Sequence, residues 1–410
     1  MRIELEITDF SYGGSALGRM PDGRAVFIPF TMPGERVRVR IPSEFKDYCT
    51  GQLEEVLRPA PERITPRCRH FAVCGGCHYQ HLVYQQQLQV KQKIVADQMR
   101  RIGKISTPEI NDIIPSPKKW HYRNTMQFHI SDNGRPGFRA GDSAEVVEVG
   151  ECHLPVDEVG ALWPLLEVDP ASGIRRVLLR AGSDGELLAG LESEQDLPPE
   201  FSLDFPLSVH FLGSGGNYLM AGDAHNVMTV NGVNFLVSPR SFFQVNLAQA
   251  GRIVDHILAN AEITAEDVAF DLYSGAGLFS AFLAPRIKEV IAVEASESAC
   301  NDFAVNLDAH ENVSLYIGSV EQILPKLKAK PDLVLVDPPR AGLAKGVVEC
   351  LIKSSASQLV YISCDPATLA RDCRRLVEGG FVIRSIQPFD LFPQTYHIEC
   401  IVILERSVKT

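Results

Sequence analysis

The sequence predicts a multidomain α/β protein in which a small β-barrel and a β-rich central domain precede a doubly wound parallel sheet. Three observations carry this expectation. At 410 residues the chain exceeds one typical domain. Its opening stretch alternates apolar and polar positions between glycine turns. From residue 236 onward, short apolar runs alternate with helical segments, as a doubly wound sheet requires. The expected divisions are residues 1–58, 59–235 and 236–410.

Composition narrows the function classes. No run of about 18 apolar residues occurs, so no membrane helix is expected. Met1-Arg2-Ile3-Glu4-Leu5-Glu6 lacks the apolar core of a signal peptide. A cytoplasmic location is therefore expected, where the ten cysteines are reduced, metal-bound or catalytic rather than disulfide-paired. The net charge of -11 argues against a protein that coats nucleic acid by charge alone. It leaves room for an enzyme with a local basic face.

In the first segment Val37-Arg38-Val39-Arg40-Ile41 alternates with period two, and Tyr12-Gly13-Gly14, Pro21-Asp22-Gly23 and Met32-Pro33-Gly34-Glu35 supply turns. Short strands between such turns suggest a small barrel of the oligonucleotide-binding kind. Arg19, Arg24, Arg36, Arg38, Arg40 and Lys46 give it cations, either for RNA or as a solvated face. The stretches Gly13 to Arg19 and Phe27 to Glu35 resemble the TRAM domain, an RNA-binding barrel.

Pro59, Pro61 and Pro66 mark a linker, after which Cys68 and Cys74-Gly75-Gly76-Cys77 form a metal or cluster signature. Zinc takes four tetrahedral ligands, and His70, His78, His81 and His153 are available. A [4Fe–4S] cluster takes four thiolates, the fourth from a distance, and Cys152 is the nearest later cysteine. Spacing leaves both open, together with plain buried thiols. Glycines between Cys74 and Cys77 let amides face an anionic cluster.

From Tyr84 to about Ile102 the pattern is helical, with Leu88, Ile94, Val95 and Met99 near one face. Lys118 to Asn124 mixes cations with aromatics, which suits unpaired bases and phosphates or an ordinary strand entry. Residues 125–235 alternate short apolar runs with glycine turns.

Ser238 to Asn246 opens the last domain, and a helix is expected over about Leu247 to Ala261. Val268 to Tyr273 reads as a strand that turns through Ser274-Gly275-Ala276-Gly277-Leu278-Phe279 into a helix. Glycine there admits a ligand to the backbone, although helix packing can require the same residues. The next strand, Val290 to Val293, ends in Glu294, about 20 residues past the glycines and placed for ribose hydroxyls. The loop lacks the third glycine of the pyrophosphate fingerprint, which favours S-adenosylmethionine (SAM) over a dinucleotide.

Leu333 to Val336 and Leu359 to Ile362 read as buried parallel strands. They lead into Asp337-Pro338-Pro339-Arg340 and Ser363-Cys364-Asp365-Pro366, at the sheet edge where ligands bind. Ser363 or Asp365 can cap a helix over Ala367 to Val377, and a thiol beside that helix start is expected to have a lowered pKa. The last apolar strand carries the acidic Glu399 in a run suited to burial. A thiol and a base are what methylation at C5 of uracil needs. A thiolate adding to C6 makes C5 nucleophilic, and a base then removes the C5 proton. Cys364 and Glu399 can fill these roles, although a small buried thiol and an ion-paired strand end are the bland readings. Asp337 is placed to hold the donor or the nucleophile side, Gln244 to bond a base carbonyl or the donor, and Arg340 to meet a phosphate.

The motifs Cys68-x5-Cys74-Gly75-Gly76-Cys77 with Cys152, Phe242 to Asn246, Asp337 to Arg340 and Ser363 to Asp372 carry a resemblance that covers nearly the whole chain, from the TRAM-like start to His397-Ile398-Glu399. Together they resemble the SAM-dependent RNA uracil-C5 methyltransferases, in particular the iron–sulfur type that modifies 23S ribosomal RNA. The resemblance implies a Rossmann-like methyltransferase domain with Cys364 as nucleophile and Glu399 as base. It implies donor contacts at Gln244, Tyr273, Glu294 and Asp337, and a [4Fe–4S] cluster on Cys68, Cys74, Cys77 and Cys152. It implies an RNA partner, no membrane, and a monomer. Competing readings are the same chemistry on the T-loop of transfer RNA, and a cluster-containing RNA-binding protein without activity. The chain departs from the family at Leu278, where an asparagine is common and its side-chain hydrogen bonds are lost.

Overall fold

The computed structural model describes residues 1–141, 143–200, 202 and 205–407. Strands β1 (Arg2–Glu6), β2 (Asp9–Phe10), β3 (Ser15–Arg19), β4 (Ala25–Pro29), β5 (Arg36–Glu44) and β6 (Tyr48–Arg58) form one six-stranded sheet in the order β1-β5-β6-β4-β3-β2. The period-two pattern sends Val37, Val39 and Ile41 inward and the arginines between them outward. Three of the barrel's six candidate cations are ion-paired on its surface: Arg36 and Arg38 with Glu4, Arg38 with Glu55, Arg24 with Asp22 and Glu44. This face is thus half self-neutralised.

Helix α1 (Tyr84–Arg101) follows. The central domain then pairs β7 (Thr125–Ile130), β8 (Pro136–Arg139), β9 (Val146–Glu148), β10 (Ile174–Ala181), β11 (Leu187–Ser193), β12 (Ser208–Gly213) and β13 (Gly216–Ala221) in the order β13-β12-β11-β10-β7-β8-β9. Helix α2 (Asp157–Leu162) covers it, and Phe128, Trp163, Val177 and Leu179 fill the core.

A hairpin of β14 (Asn226–Val230) and β15 (Val233–Val237) shares its core with α3 (Leu247–Asn260). Next come β16 (Val268–Leu272), α4 (Leu278–Leu283), β17 (Glu289–Glu294), α5 (Glu297–Asn306), β18 (Val313–Ile317) and α6 (Val320–Ile323). The chain ends with β19 (Leu333–Val336), α7 (Lys345–Lys353), β20 (Gln358–Ser363), α8 (Pro366–Glu378), β21 (Phe381–Phe389) and β22 (Glu399–Arg406). The sheet order is β18-β17-β16-β19-β20-β22-β21. The first five strands are parallel, and β22 runs antiparallel between β20 and β21. Strand order reverses between β16 and β19, which opens a crevice at their carboxyl ends.

One apolar core runs from the barrel (Val26, Ile28) through α1 (Ile94, Val95, Met99) to α8 and the C-terminal sheet (Leu369, Leu376, Val334, Val402). The buried face of α1 also holds Gln87 and Lys91, which its apolar spacing does not explain. Both reach the segment 390–397 between β21 and β22. Lys91 Nζ donates to Asp390 Oδ1 at 2.5 Å and to the Phe392 carbonyl at 2.9 Å. Tyr84 donates to Asp390 Oδ2 at 2.7 Å, and Gln87 and Gln394 exchange two hydrogen bonds of 3.0 Å. Tyr122 is buried and donates to the Pro393 carbonyl at 3.1 Å, so this aromatic of the Lys118–Asn124 stretch supports structure instead of facing bases.

Lys91 and Asp390 both have fully buried side chains. Removing one partner leaves the other charge stranded in low dielectric, so Lys91→Met or Asp390→Ala should cost about 3–5 kcal/mol in denaturant unfolding. A loss below about 1 kcal/mol for either would show that the pair is not a structural tie.

Candidate active site

The antiparallel pairing of β20 with β22 positions the candidate nucleophile and base. Ser363 pairs with Cys400, so one step further sets Cys364 opposite Glu399. Both line a cavity of about 800 Å³, together with Gln244, Tyr273, Glu294, Asp337 and Arg340. The six sequence-derived catalytic and donor candidates thus share one cavity at the carboxyl edge of the sheet.

The cavity is strongly acidic at its base. Glu399 is 4% exposed, and burial followed by the charge of Asp337 holds its carboxyl well above the usual range. Burial and then Asp271 push Asp337 up to about 7. Cys364 departs from expectation: its thiol is pushed up to about 11, first by burial and then by Glu399 and Asp337, against a lowering effect of Arg340. The start of α8 does not offset this, because Asp365 occupies it. Asp365 Oδ1 accepts from the amides of Ala367 and Thr368, each at 2.9 Å. Its other oxygen accepts from Tyr12 of the barrel at 2.8 Å. The amides that would have stabilised a thiolate serve a neighbouring carboxylate.

The loop from β16 to α4 separates two uses of glycine. At Gly277, with φ +92°, an added Cβ would stand 2.3 Å from Leu307, so this glycine serves packing on α5. At Gly275, with φ +56°, an added Cβ meets nothing within 4 Å, and the residue lines the cavity. Tyr273 also has a positive φ of 66°, and its hydroxyl donates to Glu321 at 3.2 Å. Glu294 accepts from the amides of Gly275, Ala295 and Ser296 at 2.7–2.8 Å, which fixes its carboxylate against this loop. Ser274 Oγ is buried on the cavity wall without a hydrogen-bond partner among the described residues. Leu278 is buried and turns apolar surface to the cavity.

The four candidate cluster cysteines also converge. Cys68, Cys74, Cys77 and Cys152 line one cavity of about 260 Å³, with His70 and His153. His78 packs on Tyr396, and His81 is 3.3 Å from the Thr31 carbonyl, so these two lie apart from it. Among the described residues no three His, Cys, Asp or Glu side chains close on a single metal ion. Backbone amides of His70 and Phe71 face Cys68, Gly76 N lies 3.4 Å from Cys74 Sγ, the Leu154 amide faces Cys152, and Gln80 reaches Cys77.

Sequence reading missed a second cleft, of about 1010 Å³, between the central sheet and the C-terminal domain. Arg123, Arg176 and Arg240 line it, and it joins the first cavity through Arg240, Phe242, Phe243 and Ser296. Phe242 is 70% exposed at that junction. The aromatic pair Phe242-Phe243 was the only available signal, because the cleft's cations come from segments far apart in sequence.

The raised thiol makes a direct prediction. Alkylation of Cys364 by iodoacetamide, followed by peptide mass mapping, should be slow near neutral pH and climb about tenfold per pH unit as pH rises toward the thiol pKa. A plateau reached below about pH 8 would overturn this electrostatic account.

A family model for tRNA (Uracil-5-)-methyltransferase matches residues 223–407, and a TRAM domain model matches residues 2–53. An uncharacterized RNA methyltransferase of Halalkalibacterium halodurans is 31% identical, covering 98% of this chain and 96% of its own length. One from Synechocystis is also 31% identical, over 98% of this chain and 95% of its own. The structure of Pyrococcus abyssi tRNA (uracil-54, C5)-methyltransferase, in complex with S-adenosyl-L-homocysteine, is similar with a TM-score of 0.76 and 25% identity. That match covers 98% of this chain and 100% of the other. Similar to such proteins from barrel to final strand, the chain belongs to the SAM-dependent RNA uracil-5-methyltransferases that carry a TRAM domain.

Proposed function

We propose that the protein methylates C5 of a specific uridine in 23S ribosomal RNA, with Cys364 as nucleophile and Glu399 as base. The observation that carries this is their cross-strand apposition at the base of a cavity whose wall holds the candidate donor contacts. SAM, when bound, supplies an electrophilic methyl group. Ser274 Oγ, Gln244, Tyr273, Glu294 and Asp337 are the residues that would hold it.

The thiol of Cys364 loses its proton to solvent, and the thiolate adds to C6 of the uracil. The electron pair of the C5–C6 bond moves onto C5 and the adjoining carbonyl, so C5 takes the methyl group. Glu399 then removes the C5 proton. The freed pair re-forms the C5–C6 bond and expels the thiolate. The cleft sets four arginines (Arg123, Arg176, Arg180 and Arg240) against Glu192 and Glu297, with Arg176 paired to Glu192, and its remaining positive excess is the local face that a chain of net charge -11 offers an RNA strand.

The cysteine cavity fits a [4Fe–4S] cluster. Its donors are four thiols around one cavity, met by amides, which suits an anionic cluster. Such a cluster would fasten the loop at 68–77 to the central sheet. The reaction moves no electrons, so its role is structural.

The ribosomal target rests on the four-cysteine pattern. The similarity to a transfer-RNA enzyme favours the T-loop as the second reading. Labelled SAM, offered with 23S rRNA fragments and tRNA transcripts side by side, decides between them. Label in rRNA alone supports the proposal, label in the T-loop alone replaces the target, and label in neither removes the activity. Cys364→Ala should abolish labelling. Glu399→Gln should slow turnover by about 10²–10⁴-fold and leave a protein–RNA adduct visible on denaturing gels. Full activity of Cys364→Ala would overturn the mechanism. Cys74→Ser should lose the brown absorption of a cluster and lower the stability of the central domain, and a colourless variant with unchanged stability would argue against a structural cluster.

A further inference from the structure

The active-site cavity gathers acids at one wall, while its two arginines, Arg240 and Arg340, are exposed, Arg240 being held by the Gly213 and Gly216 carbonyls. Asp337 follows the end of β19 and Glu399 begins β22; both line the cavity wall, Glu399 buried and Asp337 half-buried. Behind them on β16 lies Asp271, fully buried, with one oxygen bound by Ser280 at 2.6 Å and the other without a partner. The thiol of Cys364 and the carboxylate of Asp365 follow β20 on the other side. Glu294, from the end of β17, is satisfied by three amides. The nearest cation, Arg340, is exposed and stands 3.3 Å from His397 Nδ1 at the mouth. That histidine is kept neutral, its pKa lowered to about 3 by burial and then by Arg340. Two like charges sharing a buried wall cannot both ionise cheaply, so the pair retains a proton in the free protein.

The ligand that the proposed reaction requires is itself a cation. Its sulfonium must lie within a methyl group's reach of the carbon whose proton goes to Glu399. Once that methyl is gone, the remaining thioether is neutral. Resting on that reading, we propose that Asp337 and Glu399 form a charge-responsive pair. Binding of the cationic donor expels a proton from the pair to solvent, and loss of that cation on methyl transfer restores the pair's proton affinity as the C5 proton must be taken up. The protons balance: one leaves to solvent on donor binding, and the C5 proton replaces it on Glu399, which regenerates the free protein's state. Asp337 is in this account a positioning residue for charge, acting through Glu399.

Calorimetric titration of the full-length protein with SAM and with S-adenosylhomocysteine tests this without RNA. The two ligands differ only by the methyl cation. Near pH 6.5, in two buffers of different ionisation enthalpy, SAM should release about one proton more than S-adenosylhomocysteine. The Kd for SAM should tighten by up to about tenfold per pH unit through the pair's titration, and that for S-adenosylhomocysteine should change by less than about twofold. In Glu399→Gln the difference in released protons should shrink to what Asp337 alone contributes, while both ligands still bind. Equal proton release by the two ligands with the wild-type protein would overturn the pair and leave the uridine chemistry intact. Absence of binding by either would overturn the donor reading beneath it.

Discussion

The buried ion pair of Lys91 with Asp390 is the constraint on which the active-site architecture rests. Segment 390–397 leaves β21 and turns back into β22, and Glu399 begins that strand. Backbone without regular structure must find hydrogen-bond partners elsewhere. Here they come from the whole chain. Asn246 caps α3 with one end of its amide and donates to the Leu391 carbonyl at 3.1 Å with the other. The Gln394 carbonyl accepts from the amides of His78 and Tyr79, which follow directly on Cys77. The segment that delivers Glu399 and His397 is therefore tied to α1, to the cysteine loop and to the start of the C-terminal domain at once.

This tie explains why the three divisions of the chain share cores instead of folding as separate beads. Helix α1 lies between barrel and sheet and closes the first core from both sides. The barrel reaches the active site itself, since Tyr12 bonds Asp365 beside Cys364, and Tyr12 meets Tyr396 edge-on at 6.0 Å. Arg36, Arg38 and Arg58 of the barrel are bound to its own glutamates, while Arg19 and Arg40 bond neutral acceptors and keep their charge.

The electrostatics follow from the sheet. Parallel strands β16, β19 and β20 bring Asp271, Asp337 and Cys364 to one edge, and the antiparallel β22 adds Glu399. Burial raises the proton affinity of every one of these groups.

Much of this was legible in the sequence because it is local. Apolar runs of four to six residues gave β19 and β20, Asp365 and Pro366 gave the start of α8, and Gly275 and Glu294 gave the donor loop. The glycine turns and period-two strands gave the barrel. The lowered thiol pKa did not survive, because a helix start serves whichever acceptor caps it, and the sequence cannot say that Asp365 takes both amides. Nor could it show the basic cleft, whose arginines meet only when two domains pack. The residue types needed for the chemistry were fixed by the chain alone, as its motifs. Their apposition was decided by tertiary structure, since β22 lies against β20 only through the sheet's order, and register places Glu399 opposite Cys364 across a chain separation no local rule can span.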